Sequence, residues 1–374
     1  MRAAGLTPPT LKGVVPWGGC HASLVRESFS STAPRVSAAH VLPGEPRTDS
    51  DQGGVTRGWT VRCRASVVPV SETTAPDAPT RSGPGPAAPA PGLAPLTTVA
   101  RTGSTNSDLI DALTRDPRAA QRRWPHLSAL RAVHQSAGRG RAGRSWVTPG
   151  RGALTLSVVL RPLVPTDRLP WLPLVAGLAV HDALSRVLAA EGSAWTARTK
   201  WPNDVLLLPP DRAPVEEVAG WGRGRKVGGL LAEVAHPARC APAVAPEGRD
   251  EAAVVVLGIG LNVGQERADL PVPWAGSLRL AGAHLSPQDL LVPLGSALAA
   301  RTAQWEHDGG DPGAALLGAL RAACLTLGRT VRVELPGGGA IEGRALDLEP
   351  GLVVEADGGR RVVAAGDVSH LRTR

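Results

Sequence analysis

Fourteen of the chain's 35 prolines fall within its first 95 residues, densest in the stretch SGPGPAAPAPGLAP at 82–95, and no helical or strand periodicity runs through that region. Proline fixes φ and lacks a backbone donor, and a segment this poor in patterned apolar residues buries too little surface to offset its ordering entropy. The expectation for residues 1–95 is therefore a disordered extension, or the product of an upstream start site, with no readable winged helix. A packed fold must be built from the rest. With 43% apolar residues in 374, the chain can bury the core of two or three domains. Aliphatic residues carry that core, because there is one Phe and no Tyr; some of the ten Trp are then free to serve as ligand walls.

Order is expected from about Leu96. Residues 96–100 read as a strand, and the run Ser104-Thr105-Asn106-Ser107-Asp108 reads as the start of a capped helix, with an acid three positions beyond Thr105. Strands are expected at 129–133 and 153–160, with a Gly/Arg loop between them. Residues 171–190 repeat Leu174, Leu178, Val187 and Leu188 at helical spacing and stop at Gly192, which predicts a long buried helix. Two paired strands at 205–208 and 226–234 flank a Pro- and Gly-containing insertion, and 253–262 is a further apolar strand. Ser286-Pro287 and Asp311-Pro312 read as helix starts, leading to about Glu306 and Thr326, with Pro293 kinking the first or delaying its start. From 330 onward, short strands at 330–335, 340–348, 352–356 and 361–365 alternate with PGGG, EPG and DGG turns, the pattern of a small β-barrel. These expectations amount to an α+β chain, with a mixed-sheet catalytic domain at 96–327 followed by a small β-domain at 328–374.

The net charge of +8 comes from 38 Arg and three Lys against 33 acids, so Arg stands almost wherever a positive charge alone suffices. Lys200 and Lys226, with all three asparagines of the chain, instead cluster in four short motifs: STN (104–106), KWPND (200–204), RKVGG (225–229) and GIGLN (258–262). An ammonium is a compact point charge that can follow a phosphate where the planar Arg fork cannot. Between two expected strands, QSAGRGRAGR (135–144) interleaves glycines with Arg139, Arg141 and Arg144, a pattern that cradles anions or marks a basic nucleic-acid tract. Asn203 and Asp204 suit either a turn or a nucleotide site, and the Gly258/Gly260 pair suits a tight strand exit. Cys20, Cys63, Cys240 and Cys324 have no CxxC spacing, which indicates reduced thiols and neither zinc nor a disulfide framework. No run approaching the ~18 apolar residues of a bilayer span is read in the sequence, so a soluble, cytoplasmic chain is expected.

In this order, STN, QSAGRGRAGRSW, KWPNDVLL, RKVGGLLAE and GIGLNV resemble the biotin–protein ligase family, in the form without a winged helix, over about 99–372. The resemblance implies a catalytic domain like the class II aminoacyl-tRNA synthetase/biotin ligase fold and an SH3-like β-barrel behind it. It also implies ATP-dependent activation of biotin to biotinyl-5′-AMP, then transfer to one lysine of a biotin carboxyl carrier domain of acetyl/acyl-CoA carboxylase. Carried over by motif, Ser104, Thr105, Asn106 and Gln135 would bind biotin with Gly138, Arg139, Arg141, Lys226, Gly229 and Gly260. Lys226 and Arg141 would be catalytic. Arg141, Arg144, Trp146, Lys200, Asn203, Asp204, Asn262 and Trp274 would face ATP or the adenylate, with core packing an equal role for both Trp146 and Trp274. Mg²⁺ would come with ATP, near Asp204 and Asn262, and no fixed protein metal site is implied. Two stretches depart from the family pattern: the insertion 208–225 is long, and 264–276 matches poorly beyond Trp274. A monomer or homodimer is expected, with no specific DNA and no membrane partner. The competing readings are a lipoate ligase or octanoyltransferase and, from another class, a nucleic-acid-binding regulator.

Overall fold

The structure, a computed structural model, describes residues 92–147 and 152–371, which fall in one compact unit. The expectations for residues 1–91, including disorder and the lack of a winged helix, lie outside the described residues. The chain runs β1 (Leu96–Thr102), α1 (Thr105–Arg115), α2 (Pro117–Arg123), β2 (Ala129–Gln135), β3 (Gly138–Arg139), β4 (Ser145–Trp146), β5 (Ala153–Leu160), α3 (Leu172–Ala190), β6 (Thr196–Lys200), β7 (Asp204–Leu208), β8 (Arg225–His236) and β9 (Val254–Asn262). It continues through α4 (Leu291–His307), α5 (Ala314–Ala323), β10 (Thr330–Glu334), β11 (Ala340–Leu348), β12 (Leu352–Ala356), β13 (Gly359–Val363) and β14 (Asp367–His370).

Seven strands form one mixed sheet in the order β1-β2-β5-β9-β8-β7-β6, with β1 parallel to β2 and every other neighbour antiparallel. Alternation along the central strands assigns its two faces. Leu154, Leu156, Val158 and Leu160 of β5, with Val255, Leu257, Ile259 and Leu261 of β9, join the main core with α3 and α4. On the other face, Val159, Val254 and Val256 pack under Leu109 and Leu113 of α1 and Trp124 after α2. Further along that second face β9 carries Gly258 and Gly260, and the side-chain layer thins to leave a cavity.

The helix expected at 171–190 is α3 at the centre of the core. The helical stretch Thr166–Ala190 is, by length and composition, apolar enough to cross a membrane, which corrects the sequence expectation that no segment reaches that length. Its apolarity has a core explanation: Leu172, Val175, Leu178, Val180 and Leu184 are buried between the sheet and α4.

Helix starts are the other main correction. Ser104, not Thr105, caps α1, accepting from Ser107 N at 3.4 Å, while Asp108 accepts from the Thr102 hydroxyl instead of completing a capping box. The start expected at Ser286-Pro287 becomes a local turn in which Asp289 accepts from Ser286 N and Oγ, both at 2.8 Å. α4 begins at Leu291, the delayed start that Pro293 allows, so that Pro293 sits in its first turn where its missing donor costs nothing. Likewise α5 begins after Gly313 and ends at Ala323, later and earlier than read. Helix α2, the β3–β4 pair, strand β6 and strand β14 lie outside the elements expected from the sequence.

The last five strands form an antiparallel sheet in the order β13-β12-β11-β10-β14, consistent with a small SH3-like domain. Val331, Val333, Leu352 and Val354 share one apolar cluster with α3 and the main sheet. The seam is reinforced by Leu325 N donating to Thr199 O at 2.8 Å and Trp201 N to Thr326 Oγ1 at 3.1 Å.

Candidate active site

The cavity, about 510 Å³, lies on the open face of the main sheet. At one end the N-terminus of α1 delivers Thr105 and Asn106 into a network of hydroxyl and amide groups bounded by the Arg139–Glu233 ion pair. Gln135 Oε1, at the end of β2, accepts from Thr105 N at 2.9 Å and from its hydroxyl at 3.2 Å. The Ser157 hydroxyl on β5 lies 2.7 Å from Thr105 Oγ1 and 2.6 Å from Asn106 Oδ1. Asn106 Nδ2 donates to Glu233 Oε2 at 2.9 Å, and Arg139 closes an ion pair with the same carboxylate at 2.5 Å. Gly258 is required here: a Cβ would stand 2.5 Å from Asn106 Oδ1.

Two residues along β8 and β9, roughly 7 Å away, the hydroxyl and amide groups give way to lysine ammonium groups. Gly258 pairs with Leu231, and Gly260 pairs with Gly229. Beside Gly229, Lys226 Nζ contacts Asp204 Oδ1 at 2.6 Å, and the Lys226 backbone is fixed by bonds with Trp274 O (2.7 Å) and Gly276 N (2.8 Å). Trp146 stands between the two ends. A Cβ on Gly260 would come 2.5 Å from its indole, Lys226 Nζ lies 6.0 Å from its ring, and its Nε1 is buried without a hydrogen-bond partner. Lys200, 4% exposed, ends β6 at the same end of the cavity. Burial, opposed by nearby Asp204 and reinforced by Lys226, lowers its pKa to about 8.

The Arg-rich loop is a folded hairpin. β3 pairs with β4 through Gly138↔Trp146 and Arg139↔Ser145, and Ala142 (φ 51°) and Gly143 (φ 71°) make the left-handed turn at its tip. Ala142 accepts a conformation costing roughly 1–2 kcal/mol for a non-glycine residue. The hairpin is moored at its base by Arg139–Glu233 and at its tip by Arg144, whose guanidinium pairs with Asp367 of the C-terminal sheet at 2.6 Å. Arg141 turns inward, 3.5 Å from Asn203 Oδ1, and burial lowers its pKa.

Of the residues named from the sequence, Ser104, Thr105, Asn106, Gln135, Arg139, Arg141, Arg144, Trp146, Lys200, Asn203, Asp204, Lys226, Gly229, Gly260 and Trp274 line this one cavity. Gly138 and Asn262 do not. A Cβ on Gly138 would meet the Trp146 backbone oxygen at 2.3 Å and Gln135 Nε2 at 2.4 Å, so this glycine lets the hairpin close against the glutamine amide. Asn262 is buried, donating to Gly276 O at 2.9 Å, and holds the loop that carries Trp274. Ser157, Glu233, Trp221 and Asp367 escaped the sequence reading. Ser157 sits in a mostly apolar strand and Asp367 beyond every motif; only Glu233, at the end of RKVGGLLAE, has a motif to mark it.

Comparison with known proteins agrees with this geometry. The Biotin/lipoate A/B protein ligase family matches residues 101–240, and the Biotin protein ligase C terminal domain matches 326–371. The chain is similar to a biotin–[acetyl-CoA-carboxylase] ligase of Mycobacterium tuberculosis, 38% identical over 74% of this chain and 89% of that protein. A protein of the same name from Paracoccus denitrificans is 32% identical, over 72% of this chain and 98% of its own length. In fold it is similar to the structure of biotin protein ligase from Aquifex aeolicus in complex with biotin and ATP, with a TM-score of 0.52 and 24% identity, covering 74% of this chain and 99% of that one. With a neutral polar end, a cationic end and the C-terminal sheet brought to one cavity, and with these relatives spanning nearly their whole length, the chain belongs to the biotin–protein ligase family.

Proposed function

We propose that the protein activates biotin with ATP and transfers it to a lysine of a biotin carboxyl carrier domain. The observation that carries this reading is the polarity of the cavity: hydroxyl and amide groups at one end, three partly or fully buried cations at the other, and glycines between them. Thr105, Asn106 and Gln135, joined by Ser157, offer paired donors and acceptors to a ureido ring. A biotin tail lying over Gly258 and Gly260 would bring its carboxylate to Lys226. There the carboxylate oxygen attacks the α-phosphorus of ATP, a P–O bond to the leaving pyrophosphate breaks, and biotinyl-5′-AMP forms. Lys226 is assigned to bridge carboxylate and α-phosphate, exchanging Asp204 for them as charge develops at phosphorus. The carrier's neutral lysine amine then attacks the biotinyl carbonyl and AMP leaves. Arg141 and the hairpin are assigned to hold the adenylate meanwhile.

Among the described residues no group of three or more His, Cys, Asp or Glu side chains converges to hold a metal. We assign Mg²⁺ to the nucleotide's own oxygens, with Asp204, which lines the cavity beside Lys226, as a protein carboxylate within the same site. The domain division at 96–327 and 328–374 fits the two sheets, and the cytoplasm is the compartment where ATP is renewed and free Cys240 and Cys324 stay reduced. The test offers the protein ATP, Mg²⁺, a carrier domain and either biotin or lipoate. Streptavidin-reactive carrier is expected with biotin alone, and no such label at saturating substrate overturns the reading.

A further inference from the structure

Resting on that reading, we propose that Trp221, in the insertion between β7 and β8, is a positioning residue for the nucleotide: its ring holds the Lys200 ammonium toward the phosphates. The insertion is built to present this one side chain. Trp221 N and Gly222 N both bond to Val218 O, at 3.0 and 2.8 Å, closing a tight turn flanked by Gly220 and Gly222 at positive φ. Behind that turn the Arg223 guanidinium donates to the carbonyls of Pro210, Asp211 and Ala213 at 3.0, 2.8 and 2.6 Å. Arg225 donates to Glu216 O at 2.6 Å. An insertion cross-braced in this way holds its tip residue in one place.

That residue reaches the cavity. Lys200 Nζ lies 3.9 Å from the Trp221 ring centroid, and the ring stands parallel to Trp274 within 4°, with centroids 6.1 Å apart. Among the described residues the Lys200 ammonium has no hydrogen-bond or ion-pair partner, although the residue is buried, so its N–H groups remain available to the cavity. A buried ammonium held only by a π face is a phosphate receptor with its donors free. Trp274 backs the arrangement, since its own backbone is bonded to Lys226. The two lysines are therefore spaced from one scaffold: Lys226 by the turn that carries Trp274, Lys200 by the Trp221 ring that Trp274 supports.

The experiment is ATP and biotin binding by calorimetry, with biotin-dependent pyrophosphate exchange, for the wild type, Trp221→Leu and Trp221→Phe. A loss of roughly tenfold in ATP affinity is expected for Trp221→Leu, the scale of a partly desolvated cation–π contact, with biotin affinity unchanged and Trp221→Phe recovering most of the loss. The alkaline limb of the exchange rate should move to lower pH in the Leu variant and back in the Phe variant. ATP affinity within twofold of wild type in the Leu variant, or an equal loss for biotin, overturns the proposal. Absence of exchange in the wild type overturns the ligase reading itself, and is distinguishable because it requires no variant.

Discussion

At the scale of single residues, the two lysines of the cavity differ more than their common chemistry suggests. Lys226 is a quarter exposed and already paired with Asp204, whereas Lys200 is buried and unpaired. The consequence is a pH dependence with a definite sign. The Lys200 pKa, about 8, is depressed from 10.5 by burial, so the free enzyme begins to lose this ammonium just above neutral pH. Only the charged form attracts phosphate, and kcat/KM for ATP, which reports the free enzyme, should hold below about pH 8 and fall up to tenfold per unit above it. Lys200→Arg should remove the limb by staying charged, yet bind ATP poorly because the fork does not fit the Trp221 face and the phosphate together. A limb that survives in Lys200→Arg assigns it to another group. Lys226→Ala should abolish biotin-dependent pyrophosphate exchange while leaving the fold intact. These lysines were legible because the chain uses Arg elsewhere; Ser157 and Glu233 were not, because a serine in an apolar strand and a glutamate near a strand end are ordinary until a partner is seen across the sheet.

At the scale of elements, β9 shows how one strand builds both core and site. Its odd-numbered residues, from Val255 to Leu261, are uniformly large and belong to the core; its even-numbered residues shrink from Val254 and Val256 to Gly258 and Gly260 as α1 gives way to the cavity. The sequence marked an apolar strand with a glycine pair, but a tight exit explained that pair equally well. Pairing decides the matter, because only the register with β8 and the position of α1 reveal that both glycines face the same open side. Gly258→Ala should therefore cost biotin at least tenfold in affinity, by pushing the Asn106 amide from its bonds to Ser157 and Glu233, with an overpacking penalty on the order of 1–3 kcal/mol. ATP binding should change much less. Equal losses for both ligands, in a variant with reduced thermal stability, would instead mean that the strand itself had shifted. Helix starts failed for a related reason: Ser286-Pro287 satisfies the local rules for a cap, yet tertiary packing of Leu290 and Leu291 sets where α4 begins.

At the scale of the whole molecule, the C-terminal sheet contributes side chains to the cavity and shares the main core. Glu334, Asp367, Val368 and Ser369 line the cavity, and the neighbouring His370 bonds to Thr326 at the seam, its pKa lowered to about 3 by burial and by Lys200 and Arg329. The sequence separated this sheet by its turn chemistry but gave no sign of β14, a four-residue strand whose Asp367 faces the hairpin. The Arg144–Asp367 pair joins two partly exposed side chains, 59% and 41% accessible, so it should contribute at most about 1 kcal/mol to stability. Its effect on the hairpin is a different matter, since the pair is the tip's tie to the C-terminal sheet, and a contribution of that size shifts an open–closed equilibrium several-fold. Asp367→Asn is accordingly expected to unfold at nearly the wild-type temperature while releasing biotinyl-5′-AMP several-fold faster, measured by chasing preformed labelled adenylate with excess unlabelled ligand. The faster release should shrink as salt is raised, because screening weakens the wild-type tie toward the level of the variant. Unchanged release at low salt would mean that Arg141 and the Arg139–Glu233 pair hold the hairpin without help from the C-terminal sheet.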